Sequence, residues 1–171
     1  MARCKYYHYF VEGEDEEKVL EVLKSQMRLI VPGKIERFNV VEKKLKKLHL
    51  MRLKQGTAVV LVFDTDTGNI KTLNENIFML QKMNFIVKVL CITQVDNLED
   101  ELKRSCNIKQ IKDLTGSKSN REFKHDLIRE KRLDYKLKQC QFNFSKFWAM
   151  QAKGEYECIG NDAEQIKVSA K

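Results

Sequence analysis

A chain of 171 residues, 43% hydrophobic and 33% charged, is long enough to bury one sizeable core without disulfides or structural metal. Its five cysteines (Cys4, Cys91, Cys106, Cys140 and Cys158) are odd in number and form no C-x-x-C pair, which argues against a disulfide framework or a zinc site and for a reducing compartment. The net charge of +8 is concentrated: residues 1–102 carry 16 Lys/Arg against 15 Asp/Glu, residues 103–153 carry 14 against 5, and residues 154–171 carry 2 against 4, so a nearly neutral body precedes a segment able to attract a polyanion.

In chain order, Lys-Tyr-Tyr-His-Tyr-Phe-Val at residues 5–11 is aromatic and β-branched and predicts a strand. Val19, Leu20, Val22 and Leu23, set among charges, predict an amphipathic helix over 15–26. Pro32-Gly33 marks a turn, residues 35–41 a short strand, and the Lys/Leu-rich stretch that follows a helix reaching Leu53. Residues 57–63, Thr-Ala-Val-Val-Leu-Val-Phe, form an unbroken apolar run, the pattern of a parallel strand buried on both faces. A helix over 70–82, a second buried strand over 85–93 and a helix opening at Val95–Leu102 continue the alternation. Alternating strands and helices predict an α/β fold, a mostly parallel sheet of about four strands flanked by helices. Beyond residue 103 come basic helical stretches over 119–131 and 132–151, then a tail from residue 154 expected to be loosely ordered. The domain reading is a core over 1–105, a basic helical extension over 106–153 and the tail over 154–171. No apolar run is long enough to span a bilayer and the N-terminus lacks a signal-peptide core, so cytoplasmic residence without membrane contact is expected.

In open parallel sheets the functional site lies beyond the carboxyl ends of the strands. The acids fall there: Glu12 follows the first strand, Asp64 and Asp66 follow the apolar run, and Asp96 to Glu101 follow the next strand. Gly13 permits a tight turn directly after Glu12. Asp64 and Asp66 share a side only while the backbone stays extended. Two or three carboxylates brought together suit a hard divalent cation, magnesium or manganese.

Val11-Glu12-Gly13 and Val62-Phe63-Asp64-Thr65-Asp66 together resemble the signature of the topoisomerase-primase (Toprim) domain family: a Glu-Gly after the first strand and an Asp-x-Asp after a later hydrophobic strand. The resemblance covers about residues 5–105. Val11-Glu12-Gly13-Glu14-Asp15-Glu16 looks most like the stand-alone nucleases, such as the overcoming-lysogenization-defect group of phage defence. It implies metal-dependent phosphodiester hydrolysis of DNA or RNA, with one or two ions. Glu12 would hold metal or act as general base, Asp64 and Asp66 would hold metal, and Glu16 and Glu99 would complete a second position. Ser117-Lys118-Ser119 is similar to a loop supplying a phosphate-contacting lysine, and Lys118, Arg121 and Lys124 are the candidate nucleic-acid contacts. The chain departs from topoisomerases and primases in lacking their further domains. An ATPase or sensor of a defence complex is the implied protein partner, and an oligomer is compatible with it.

Competing readings attach to the same residues. Glu14 to Glu17 and Glu99 also suit the first turn of a helix, where acids meet its positive end. Phe63-Asp64-Thr65-Asp66-Thr67-Gly68 resembles the nucleophile motif of haloacid-dehalogenase phosphatases, with Asp64 as nucleophile, but a whole βαβα unit precedes it and no Asp-Asp pair follows. A non-catalytic module that holds metal and binds nucleic acid or protein is the third class. Phe142, Phe144, Phe147 and Trp148 suit core packing better than base stacking, and His8, His49 and His125 suit structural or exposed roles.

Overall fold

The computed structural model describes residues 4–67 and 69–168. Four strands, β1 (Tyr6–Val11), β2 (Lys34–Arg37), β3 (Thr57–Asp64) and β4 (Ile86–Gln94), form one sheet in the order β2-β1-β3-β4 with every neighbouring pair parallel. All eight residues of β3 are buried, as its apolar run predicts. Side chains alternate across it: Val60 and Val62 join one core with Tyr9, Val11, Leu90 and Ile92, whereas Val59, Leu61 and Phe63 join a second with Phe10 and Cys91.

Helix α1 (Glu14–Glu21), continued by a π-helical turn over Val22–Gln26, covers the first face with α4 (Leu98–Ser105), α5 (Lys112–Thr115), α6 (Phe123–Arg129) and α7 (Leu133–Gln139). On the other face lie α3 (Lys71–Gln81), the one-turn helix α2 (Lys47–Leu50) and part of the C-terminal segment. The long helix expected before Leu53 is therefore a single turn. Buried Asn76 holds the preceding loop irregular: its amide donates to the carbonyls of Val40 and Lys43 at 2.8 Å, and its oxygen accepts from the Leu45 N–H at 2.9 Å. Likewise α7 stops at Gln139. Gln141 and Trp148 adopt left-handed φ of 53° and 58°, and Phe147 and Trp148 are packed against the first core by turns instead of helix.

The expected loose tail is packed as far as it is described. Tyr156 and Ile159 enter the second core, and Ala163 and Ile166 the first. Between them Asp162 sits against the outer edge of β4: its N–H donates to the Cys91 carbonyl at 2.7 Å, and its carboxylate accepts from the Cys91 N–H at 2.9 Å. Lys167 then bridges antiparallel to Ile30. Residues 169–171 of that tail, and Gly68 of the Asp-x-Asp stretch, lie outside the described residues. All five cysteines carry free thiols, and burial pushes those of Cys91 and Cys106 up to about 12. Among the described residues no helix is long and apolar enough to cross a membrane.

Candidate functional site

The chain runs from β1 outward to β2, then returns to the other side of β1 to form β3 and moves on to β4. The direction of progress reverses between β1 and β3, and in open parallel sheets the crevice beyond such a reversal is where ligands bind. Glu12 stands directly after β1 and Asp64 ends β3. The two meet: the Asp64 N–H donates to Glu12 Oε1 at 3.3 Å, across fifty-two positions of sequence.

Asp64 continues the Val60-Val62 side of its strand and is buried, 9% exposed. Its Oδ1 accepts from the amide of Gln94 at 2.9 Å, the last residue of β4 and itself fully buried. Burial and the nearby charges of Glu12, Glu16, Asp66 and Glu99 push the Asp64 carboxyl up to about 9. Burial lifts Glu12 to about 7, although the bond from Asp64 N–H pulls the other way. Glu16 rises to about 8 through burial and its neighbour Asp15. All five predicted acids therefore share one electrostatic neighbourhood.

They do not form one face. β3 ends at Asp64 and Thr65 bends, so the extended backbone needed to align Asp66 with Asp64 is absent and Asp66 is exposed. Thr65 stitches this loop to the one after β4. Its N–H donates to the carbonyls of Gln94 and Asp96 at 3.1 Å, and its hydroxyl accepts from the Asp96 N–H at 3.0 Å. Thr67 bonds the Tyr156 hydroxyl at 3.1 Å, so the C-terminal segment helps fix the Asp66 loop.

Helical phase divides the acids of α1. Glu14 and Glu17 reach outward to Arg37, the latter at 3.0 Å, while Asp15 and Glu16 are buried toward the site. Glu16 caps its own helix by accepting from the Gly13 N–H at 2.8 Å. A methyl group on Gly13 would stand only 2.9 Å from Asp15 Oδ1 and 3.0 Å from Glu16 Oε2, so a larger residue there would push on both acids.

Glu99, in the first turn of α4, is paired with Lys124 of α6 at 3.2 Å, and the same ammonium holds Asp15 at 3.0 Å. Burial alone would raise Asp15, but its bonds with Glu16 and Lys124 hold it below its ordinary value. Of the three basic candidates, Lys124 is the one the fold brings onto the carboxylates. Lys118 is exposed on the bend after α5 and Arg121 in the turn before α6, and neither is paired with an acid of the cluster among the described residues. The structure adds Asp15, Gln94 and Tyr156 to the site. The first was legible: Asp15 and Glu16 lie one turn before the buried Val19 and Leu20.

No family model, curated protein or solved structure matches the chain.

The fit to a divalent cation can be tested on the side chains. The donors are all oxygens, and among the described residues neither Glu12, Glu16, Asp64 nor Asp66 is paired with Lys or Arg. The Oε1 of Gln94, beside Asp64, is buried without a hydrogen-bond partner. Clustered acids lacking a counter-charge and an orphan amide oxygen are the donor set of a hard cation. Among the described residues no three Asp, Glu, His or Cys side chains are already drawn together as a ligand shell. Glu16 is engaged at Oε2 by the Gly13 N–H and Glu99 at Oε1 by Lys124, which leaves each carboxylate a second oxygen.

Proposed function

We propose that the chain is a divalent-metal-dependent nuclease of Toprim type. The reading rests on one observation: Glu12 and Asp64, from the ends of adjacent parallel strands, are in hydrogen-bond contact at the reversal of strand order. Glu12, Asp64 and Asp66 would hold the ion, magnesium or manganese, and Glu16 and Glu99 would serve a second position. When bound, the cation supplies Lewis-acid stabilisation of the phosphate oxygens. Glu12, whose carboxylate meets the Asp64 N–H at the edge of the cluster, would hold the ion or act as general base toward water. Lys124 stands beside the cluster with its charge reinforced by Asp15 and Glu99, ready to transfer to a phosphate oxygen. The basic excess of residues 103–153 supplies the attraction for the polyanion. A partner ATPase or sensor and a role in phage defence belong to the same proposal.

Purified chain incubated with supercoiled plasmid or single-stranded RNA should cleave one of them with Mg²⁺ or Mn²⁺ and neither in EDTA. Glu12→Gln should lower the rate by roughly 10²-fold, the scale of a lost general base, with an unchanged far-UV spectrum. Phosphate release from small phosphomonoesters through a phosphorylated Asp64 would replace the nuclease by a phosphatase. Nucleic-acid binding without cleavage under either metal would leave a binding module.

A further inference from the structure

We infer that the opposite end of the sheet carries a second ligand site, for a nucleoside phosphate. Where β1, β2 and β3 begin, Lys5, Tyr6, His8, Lys34, Arg52 and Lys54 border a cavity of about 250 Å³. Tyr6 and Glu12 are six positions apart along one stretch of extended chain, which separates this cavity from the acidic cluster by roughly 20 Å.

Its charge is unbalanced. Four cationic side chains line it, and the acid beside it, Glu36, is shared by Arg52 Nη1 at 2.9 Å, Lys34 Nζ at 3.6 Å and His8 Nε2 at 3.3 Å. Among the described residues Lys5 and Lys54 have no carboxylate partner. His8 is 4% exposed, and its Nε2 faces Glu36 Oε2 across 3.3 Å, neither atom making a well-aligned hydrogen bond. Cations converging on one cavity, two of them without a carboxylate, are the complement of a phosphate.

The wall is built rather than incidental. Pro32-Gly33 passes so close to β1 that a Cβ on Gly33 would lie 2.6 Å from the Tyr7 carbonyl oxygen. The Tyr9 hydroxyl fixes this crossover by donating to the Val31 carbonyl at 2.6 Å. At the rim Tyr6 is 46% exposed, with the Lys54 ammonium 5.2 Å from its ring centroid. A half-exposed ring beside a phosphate-sized basic cavity offers a base a stacking face. The cavity admits a sugar phosphate, and the base would lie on Tyr6 outside it.

The test is calorimetric titration of the full chain in EDTA at about 0.15 M salt, a level that screens exposed charges, with AMP and inorganic phosphate as probes. AMP should bind saturably, one per chain, and tighter than phosphate. Arg52→Ala and Lys54→Ala should each weaken AMP about tenfold or more, the scale of a lost charge-assisted hydrogen bond. Tyr6→Ala should weaken AMP and leave phosphate unchanged, and Asp64→Asn should leave both unchanged. Lys54, exposed and without an acid partner, tests the site in a variant that should fold normally. The inference is overturned by AMP binding that does not saturate, by full affinity in Arg52→Ala and Lys54→Ala, by equal affinity for phosphate and AMP, or by loss of binding in Asp64→Asn.

Discussion

Asp64→Asn is expected to lower metal-dependent cleavage by roughly 10³-fold, the scale of losing a preorganised electrostatic stabiliser, and at the same time to make the metal-free protein harder to melt above neutral pH. The second effect follows from the direction in which burial and four neighbouring acids move this carboxyl, from its ordinary value up to about 9. Folded protein holds a proton there that unfolded chain releases, so the stability associated with it is full below the unfolded value near 4. It is lost progressively as pH rises toward 9. Asparagine needs no such proton. Variant and parent should melt alike near pH 4 and diverge upward, the variant being favoured at pH 8 by at least ~1.4 kcal/mol, the free energy of a tenfold change in proton affinity. For a chain of this size that is a Tm higher by about 3–5 °C. Adding Mg²⁺ should raise the parent's Tm more than the variant's, and more at pH 8 than at pH 6, because a cation displaces protons from Glu12, Glu16 and Asp64. Scanning calorimetry at several pH values with and without metal reads all of this. A variant that melts no higher than the parent at pH 8 would remove the case for a charge-strained cluster.

The largest loss of stability is expected from Glu101→Ala, a residue two positions beyond the candidate ligand Glu99 on α4. Its side chain is fully buried, accepts two hydrogen bonds, from the Val95 N–H and the Trp148 N–H, both at 3.0 Å, and forms an ion pair with Arg104 at 2.9 Å. It ties the loop after β4 to the left-handed turn at Trp148 and so fastens the basic extension to the sheet. Removing it leaves two buried N–H groups without acceptors and a half-buried guanidinium without its partner, a cost of about 2–4 kcal/mol, or roughly 6–12 °C in Tm. Glu99→Gln, on the same helix but reaching the exposed Lys124, should shift Tm by about a degree at most, as exposed pairs contribute little. Comparable melting of the two variants would contradict the structural role assigned to Glu101.

These neighbouring glutamates show what was legible in the sequence. The position of each acid relative to its strand was, because an unbroken apolar run such as Thr57–Phe63 announces a buried strand and the first charge after it announces the strand's end. Which acids of Asn97–Leu102 turn inward was not. The sequence pattern points to Glu99, whereas the structure turns Glu101 inward, because Glu101 meets the Trp148 N–H arriving from far along the chain. Strand order was equally hidden: local pattern gives four parallel strands, but the return of β3 to the far side of β1 is a property of the assembled sheet. That return is what sets Glu12 against Asp64. Lys124 belongs to the same class, a basic residue on a short helix with no local sign that two acids would meet it.

The C-terminal segment passes from one face of the sheet to the other by going around β4, and Asp162 fills the hydrogen-bonding positions of Cys91 on the way. β4 is an outermost strand, and an open outermost strand is a template on which a second chain can dock through its backbone. This clasp occupies that border at Cys91. Trimming back to residue 153 would remove Asp162 and leave the backbone groups of Cys91 open on that border.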